Sequence, residues 1–336
     1  MKIGRIVGYA MLALIVVAAI GIPAVVGIRP FIGPRMRPVT NRVYERTPQR
    51  LERGQYLATG VAACLICHSP HDWTKHDIPT PSGMAGAGAI FPLSALPGAV
   101  TAPNLTPDPE TGLGRWSDDE VGRAIREGVD RDGNTLFPVM PYTTYRNLSD
   151  EDLASIVVYL RSLAPVRNPL PPTKIIFPVN YLIRGVPEPV TSPVSEPDRS
   201  TPVNRGKYLV EMGGCEACHT PQKRGQPLAG MNFAGGSVFD GPWGRVAAGN
   251  ITHDATGFSY ESEAMFASAM RTGYVKGRAL SPIMPWAAYR GLSDTDLLAI
   301  FSYLKNVPPV HHVVDNTKEP TECRLCKARH GAGAEN

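Results

Sequence analysis

Cys64-Leu65-Ile66-Cys67-His68 and Cys215-Glu216-Ala217-Cys218-His219 are two copies of one pattern, C-x-x-C-H, and they decide how the remaining sequence is read. Thiols three positions apart lie on one side of a helical turn. Both can then reach the two vinyl groups of a single porphyrin while the adjacent imidazole turns to its iron. The pattern is the attachment signature of c-type haem. A redox dithiol, or half of a zinc site, needs only the cysteines and leaves a histidine after both pairs unexplained. We therefore expect two covalently bound haem c groups, one on Cys64 and Cys67 and one on Cys215 and Cys218. His68 and His219 are the expected proximal iron ligands.

Outward from these motifs the sequence repeats itself. Arg53-Gly54-Gln55-Tyr56-Leu57 precedes the first pair as Arg205-Gly206-Lys207-Tyr208-Leu209 precedes the second. Downstream, Asn104-Leu105-Thr106 answers Asn250-Ile251-Thr252, and Pro138-Val139-Met140-Pro141 answers Pro282-Ile283-Met284-Pro285. Leu148-Ser149-Asp150-Glu151-Asp152-Leu153 then answers Leu292-Ser293-Asp294-Thr295-Asp296-Leu297. Two tandem domains follow. Ser149 and Ser293 read as helix N-caps with acids in the first turn, and the flanking leucines have hydrophobic-staple spacing. Ser117 to Glu120 is a capping box, with its counterpart helix expected over 261–271. Helices over 54–64 and 206–215 should lead into the cysteine motifs. The Gly-, Ala- and Pro-rich stretches after Cys67 and Cys218 lack periodicity and read as long ordered loops around something large.

Met140 and Met284 occupy the same place in both repeats, each between prolines that stiffen the loop. They are the expected sixth ligands, whereas Met84, Met231, Met265 and Met270 read as core packing. His253 is a rival in the second repeat only, since Pro107 stands at its place in the first; His71 and His76 read as structural. Ligation by His and Met raises the reduction potential relative to two nitrogen ligands and closes the iron to small molecules. Arg126, Arg146, Arg271 and Arg290 are candidate propionate partners.

Composition bounds the rest. The chain has 336 residues, 33 Gly, 33 Pro and a formal net charge of +4. That charge is too small and too scattered for a nucleic-acid binder. Residues 6–28 are uncharged and long enough to span a bilayer. They read as an uncleaved single-pass anchor rather than a signal peptide, whose apolar core is shorter. Arg29, Arg35, Arg37, Arg42 and Arg46 follow, and the positive-inside rule would keep that flank in the cytoplasm. The haem chemistry points the other way, because covalent attachment takes place on the outer, periplasmic face of the bacterial cytoplasmic membrane. The expected divisions are an anchor at 1–28, a juxtamembrane segment at 29–49, haem domains at 50–166 and 203–310, a Pro-rich linker at 167–202, and a tail at 311–336. Ile175, Ile176, Phe177, Tyr181 and Leu182 in the linker should dock on a domain face.

The stretch from Arg53 to about Pro309 resembles the class I cytochrome c fold in tandem. It most resembles the multihaem cytochrome subunits of membrane-bound alcohol, aldehyde and sugar-acid dehydrogenases. Asn104-Leu105-Thr106-Pro107-Asp108-Pro109-Glu110-Thr111-Gly112 and Met140-Pro141-Tyr142 carry the resemblance most strongly. It implies a mainly α fold with axial pairs His68 with Met140 and His219 with Met284. It also implies electron transfer between a dehydrogenase or respiratory complex and a downstream acceptor. The chain departs from those subunits in having two C-x-x-C-H motifs instead of three, and in its N-terminal anchor. The competing readings are a dihaem enzyme of the peroxidase type with one open haem, disfavoured by the repeated Pro-x-Met-Pro, and a structural haem subunit of a respiratory complex.

Cys323-Arg324-Leu325-Cys326-Lys327 has the haem-motif spacing with Lys in place of His. Only ten residues follow Cys326, too few to wall a porphyrin. A disulfide is the favoured expectation in an oxidising compartment. A metal site with His330 and either His311 or His312 comes second.

Overall fold

A computed structural model of the chain describes residues 2–223, 225–258 and 262–336. It is helix-rich, and every sheet among the described residues is a two-stranded antiparallel ribbon. The expected mainly α fold thus carries small ribbons inside its loops. The helices are α1 (Lys2–Val26), α2 (Arg29–Ile32), α3 (Pro48–Tyr56), α4 (Cys64–Cys67), α5 (Asp118–Glu127), α6 (Tyr142–Tyr145) and α7 (Asp150–Ser162), followed by α8 (Val179–Leu182) in the linker. The second half repeats the plan with α9 (Pro202–Met212), α10 (Cys215–His219), α11 (Glu263–Thr272), α12 (Trp286–Tyr289) and α13 (Asp294–Leu304).

Each half is organised by one helix crossing, α3 on α7 and α9 on α13. The Arg-Gly-x-Tyr-Leu repeat is the sequence of that crossing. A Cβ on Gly54 would collide with the Ser155 carbonyl, and one on Gly206 with the carbonyl of Ala299. Only glycine lets the backbones approach this closely. The arginine one position earlier reaches the acid on the partner helix: Arg53 pairs bidentately with Asp152 at 2.7 and 2.9 Å, and Arg205 pairs with Asp296. The expected caps form as well. Ser149 accepts from the Asp152 amide at 3.0 Å and Ser293 from that of Asp296 at 3.1 Å, and both staple leucine pairs are buried. Ser117 and Glu120 complete their capping box, and its counterpart α11 is capped by Ser262; Glu261, part of the expected start, lies outside the described residues.

The approach to the first motif differs from the expected continuous helix. The first half has one more residue than the second between its tyrosine and its first cysteine, Tyr56 to Cys64 against Tyr208 to Cys215. Residues Leu57–Val61 absorb the extra residue as a single π-helical turn, with the Ala62 amide donating to Leu57 at 2.8 Å. Ala63 and Gly214, both in the left-handed region, then break the chain into the cysteine turns.

The linker also departs from expectation. Its residues 174–175 pair with 98–99, but Ile176, Phe177, Tyr181 and Leu182 are exposed, Phe177 by 78%. Their side chains are not packed on either half, although the Ile176 amide donates to the Pro97 carbonyl at 2.9 Å. Instead α8 and the 3₁₀ turn after it pack beside α2 at the foot of α1, where Phe31 and Ile32 are also exposed.

The segment after α2 lies along α5 and carries part of the basic flank into ion pairs. Arg37 donates to Asp119 at 2.7 and 2.8 Å and to Glu127 at 2.8 Å. Asp119 also accepts from the Thr40 amide and hydroxyl at 2.6 and 2.9 Å. Burial opposes ionisation of Asp119, but these donors outweigh it and hold its carboxyl down at about 2, against an ordinary 3.8. A depressed carboxylate contributes stability that is full above its unfolded pKa and lost as pH falls through its folded one, here a contribution on the order of 2 kcal/mol. Unfolding curves of the unchanged protein and of Asp119→Asn should therefore differ by this amount near neutrality. They should converge as the pH drops from about 4 towards about 2.

Candidate functional site

Both cysteine motifs lie on single helical turns, α4 following α3 and the π-turn in the first half and α10 following α9 in the second. Their thiols sit in apolar surroundings. Burial pushes Cys64, Cys67 and Cys215 up to about 12 and Cys218 up to about 11, so they are neutral groups suited to thioether bonds. The two motifs are neighbours, close enough for a charge on Cys218 to raise Cys67.

The histidines are oriented identically. His68 Nδ1 bonds the Pro103 carbonyl at 2.7 Å, and His219 Nδ1 bonds that of Gly249 at 2.7 Å. Burial lowers the pKa of both despite these bonds. A neutral ring whose Nδ1–H is spent on a carbonyl keeps its Nε2 lone pair for a metal. The asparagines of the repeated Asn-x-Thr hold the loop that supplies that carbonyl. Asn104 accepts from the amide and hydroxyl of Thr106 at 2.9 and 2.7 Å, and Asn250 does the same for Thr252 at 2.9 and 2.8 Å.

Met140 and Met284 are half-buried and pack against the common core. Their loops have the same backbone bonds: Tyr142 N–H to the Met140 carbonyl at 2.8 Å, and Trp286 N–H to that of Met284 at 2.7 Å. Each loop is tied to the cysteine turn of its own half by a tyrosine to which the sequence alone assigns no role. Tyr145 Oη donates to the Ala62 carbonyl at 2.7 Å, and Tyr289 Oη to Gly213 at 2.8 Å. Burial raises both phenols well above their ordinary value, so they remain donors. Their recurrence in the repeated Pro-x-x-x-Tyr-Arg is the signal that could have found them.

Among the described residues, two buried donors stand unpaired at equivalent places, Tyr142 Oη and Trp286 Nε1, each two residues beyond the loop methionine. An unpaired buried donor is costly. The same need for an acceptor in both halves, beside neutral thiols and an oriented imidazole, fits a bound haem with polar substituents. The arginines fit less well. Arg126 pairs with Asp150 at 2.6 Å, Arg146 with Glu188 at 2.6 Å and Arg271 with Asp294 at 2.7 Å, so three of the four candidate propionate partners are engaged elsewhere. Arg290 and His253 are exposed, and His71 bonds the carbonyls of Ile78 and Leu65 at 2.8 and 3.0 Å.

The halves clasp each other reciprocally. Tyr56 of α3 donates to Asp296 of α13, while Tyr208 of α9 donates to Asp152 of α7 at 2.7 Å. The same hydroxyls accept from the amides of Ser293 and Ser149 at 3.1 and 3.4 Å. His76, from the first half's loop, stacks on Trp286 of the second with ring centroids 4.5 Å apart.

This arrangement, one cysteine turn, one carbonyl-oriented histidine and one proline-flanked methionine per half, defines a tandem c-type cytochrome. The cytochrome c family model matches residues 203–308. The chain is 31% identical to a dihaem c-type cytochrome of Cereibacter sphaeroides over 260 residues, 74% of this chain and 82% of that one. The chain belongs to the dihaem c-type cytochromes, which are electron-transfer proteins. It is also 34% identical over 273 residues to a nicotinate dehydrogenase subunit of Pseudomonas putida, covering 76% of this chain and 21% of the relative. With the gluconate 2-dehydrogenase cytochrome c subunit of Pantoea cypripedii it shares 31% identity over 273 residues, 76% of this chain and 59% of the relative. The chain thus spans about a fifth of the first of these two relatives and somewhat over half of the second.

Proposed function

We propose that the protein is a membrane-anchored dihaem electron carrier that serves a dehydrogenase, with haem units at 50–166 and 203–310. The observation that carries this reading is the recurrence of the whole constellation in both halves. Cys64 and Cys67, and Cys215 and Cys218, bind the two haems covalently. His68 and Met140 ligate one iron, His219 and Met284 the other. The bound haem supplies a one-electron couple that His and Met ligation sets towards higher potential. Pro103 and Gly249 hold the imidazoles in the tautomer that presents Nε2. Tyr145 and Tyr289 hold the methionine loops against the cysteine turns. The names of the relatives favour a dehydrogenase as donor; quinone or a terminal oxidase as the acceptor class follows only from the resemblance to the multihaem cytochrome subunits.

The 23-residue apolar stretch of α1, Gly4–Val26, is not buried against the rest of the chain and suits a single membrane span. Ile176, Phe177 and Tyr181 at its foot suit the lipid boundary, which favours a retained anchor; the periplasmic side for the two halves rests on covalent haem attachment. Purification from washed membranes tests the reading. The protein should resist high salt, leave with mild detergent together with dehydrogenase subunits, carry two haems, and fail to bind carbon monoxide when reduced. Ready carbon monoxide binding at either haem would sink the carrier reading, and a mature N-terminus near Arg29 would sink the anchor.

A further inference from the structure

The C-terminal tail corrects the favoured sequence expectation: Cys323 and Cys326 are both free thiols, and each faces a different histidine. His312 Nε2 lies 3.3 Å from Cys323 Sγ, and His330 Nε2 lies 3.3 Å from Cys326 Sγ. All four ligand atoms fall within 4.8 Å of one another, and all four residues are buried. His311 is not among them; it is exposed and pairs with Asp254 at 3.3 Å. We propose that His312, Cys323, Cys326 and His330 form a closed structural zinc site, separate from both haem irons.

The geometry matches that ion. A tetrahedral site with Zn–S of about 2.3 Å and Zn–N of about 2.0 Å has S···N edges of about 3.5 Å, close to both observed separations. Two thiolates and two imidazoles are a donor set that selects zinc among the common divalent ions. The surroundings are those of a ligand set. His312 Nδ1 is committed to the Ala234 carbonyl at 2.7 Å and His330 Nδ1 to that of Gly331 at 3.0 Å, which leaves each Nε2 bare towards the sulfurs. Cys323 Sγ also receives the amides of Leu325 and Cys326 at 3.3 and 3.4 Å. The cysteines sit at the turn of the hairpin that pairs Pro320–Glu322 with Arg329–Gly331. Gly236 closes the cluster, where any Cβ would strike His312 at 2.7 Å.

Comparison of the two halves isolates what is special about His312. In the first half Asn168 occupies its place: the Asn168 amide donates to Thr111 and its side chain to the Ala87 carbonyl. His312 makes both equivalent bonds, to Thr256 and Ala234. It therefore keeps the structural role of the asparagine and adds a second nitrogen, which is the one that faces Cys323. The tail also buries little else. Its buried side chains are these four and Ala332, while Leu325 is 44% exposed. A segment this small needs a metal or a covalent staple in place of a core, and the ligands are arranged for a metal.

The test uses the full protein with both haems. Elemental analysis should find about one zinc for every two haem irons. X-ray absorption at the zinc edge should show two sulfur and two nitrogen neighbours at about 2.3 and 2.0 Å. Cys323→Ser and His330→Ala should lose the zinc while keeping both haems, and the tail should then become cleavable by added protease; His312→Asn should behave likewise. Three results would each overturn the proposal in the unchanged protein: a metal-free C-terminal peptide two hydrogens light, a third haem in the intact mass, or stoichiometric copper or iron at the site.

Discussion

Replacing Met284 or Met140 by alanine is expected to lower the reduction potential of one haem while leaving both haems covalently attached. The shift should be on the order of 0.1–0.3 V, a fraction of the roughly 0.8 V over which axial ligands move haem potentials. The thioether favours ferrous iron, and its loss leaves water or nothing in its place. The altered haem should therefore also take up carbon monoxide. Redox titration together with carbon monoxide binding checks both effects, and an unchanged potential would remove the methionine from the ligand set. The two variants should act on different haems, because each methionine loop is tied by its tyrosine to the cysteine turn of its own half. By contrast, His68→Ala and His219→Ala should reduce haem incorporation itself.

The second large effect concerns stability. Asp152 is buried and accepts from Arg53, Arg199 and Tyr208 together. Burial opposes its ionisation, yet Arg53 and its other donors outweigh that and keep its pKa below the ordinary carboxylate value. Asp152→Ala would leave the Arg53 guanidinium and the Tyr208 phenol without their acceptor and Arg199 with Glu196 alone, at a cost of about 3–5 kcal/mol. Tyr208→Phe removes only the hydroxyl's two bonds between halves, to Asp152 and from the Ser149 amide, and should cost about 1.5–3 kcal/mol. Denaturant unfolding followed in the haem bands measures both. A loss for Asp152→Ala no larger than that for Tyr208→Phe would show that the arginines do not depend on this carboxylate.

Much of this is legible in the sequence because each signal occurs twice. Recurrence singles out Met140 and Met284 from the other methionines, and it marks the capped helices α7 and α13 with their staples. What recurrence does not reveal is the use of the repeated residues. Tyr56, Tyr208, Asp152 and Asp296 are visible as a pattern, but that each tyrosine reaches the acid of the other half is a property of how the halves meet. The π-turn before Cys64 is hidden for a related reason: one extra residue can be a loop, a bulge or a turn, and only packing against α7 and α12 selects one. The linker misleads because apolar residues near a domain read as core-bound, and nothing local says that the neighbouring surface is the foot of an apolar helix. In the tail, disulfide and metal site share the same cysteines. The difference lies in His312, whose second nitrogen has no counterpart in Asn168.

The reciprocal clasp has the form of an isologous contact, in which residue i meets residue j and j meets i. Such a contact is what two identical subunits make across a two-fold axis, so the surface joining the halves is self-complementary in kind. Carrying both copies on one chain gives that pairing a fixed effective concentration, where separate copies would depend on their abundance. It also releases the two copies from identity. One could acquire a histidine and a cysteine hairpin while the other kept its asparagine, and a symmetric homodimer has no means of making that distinction.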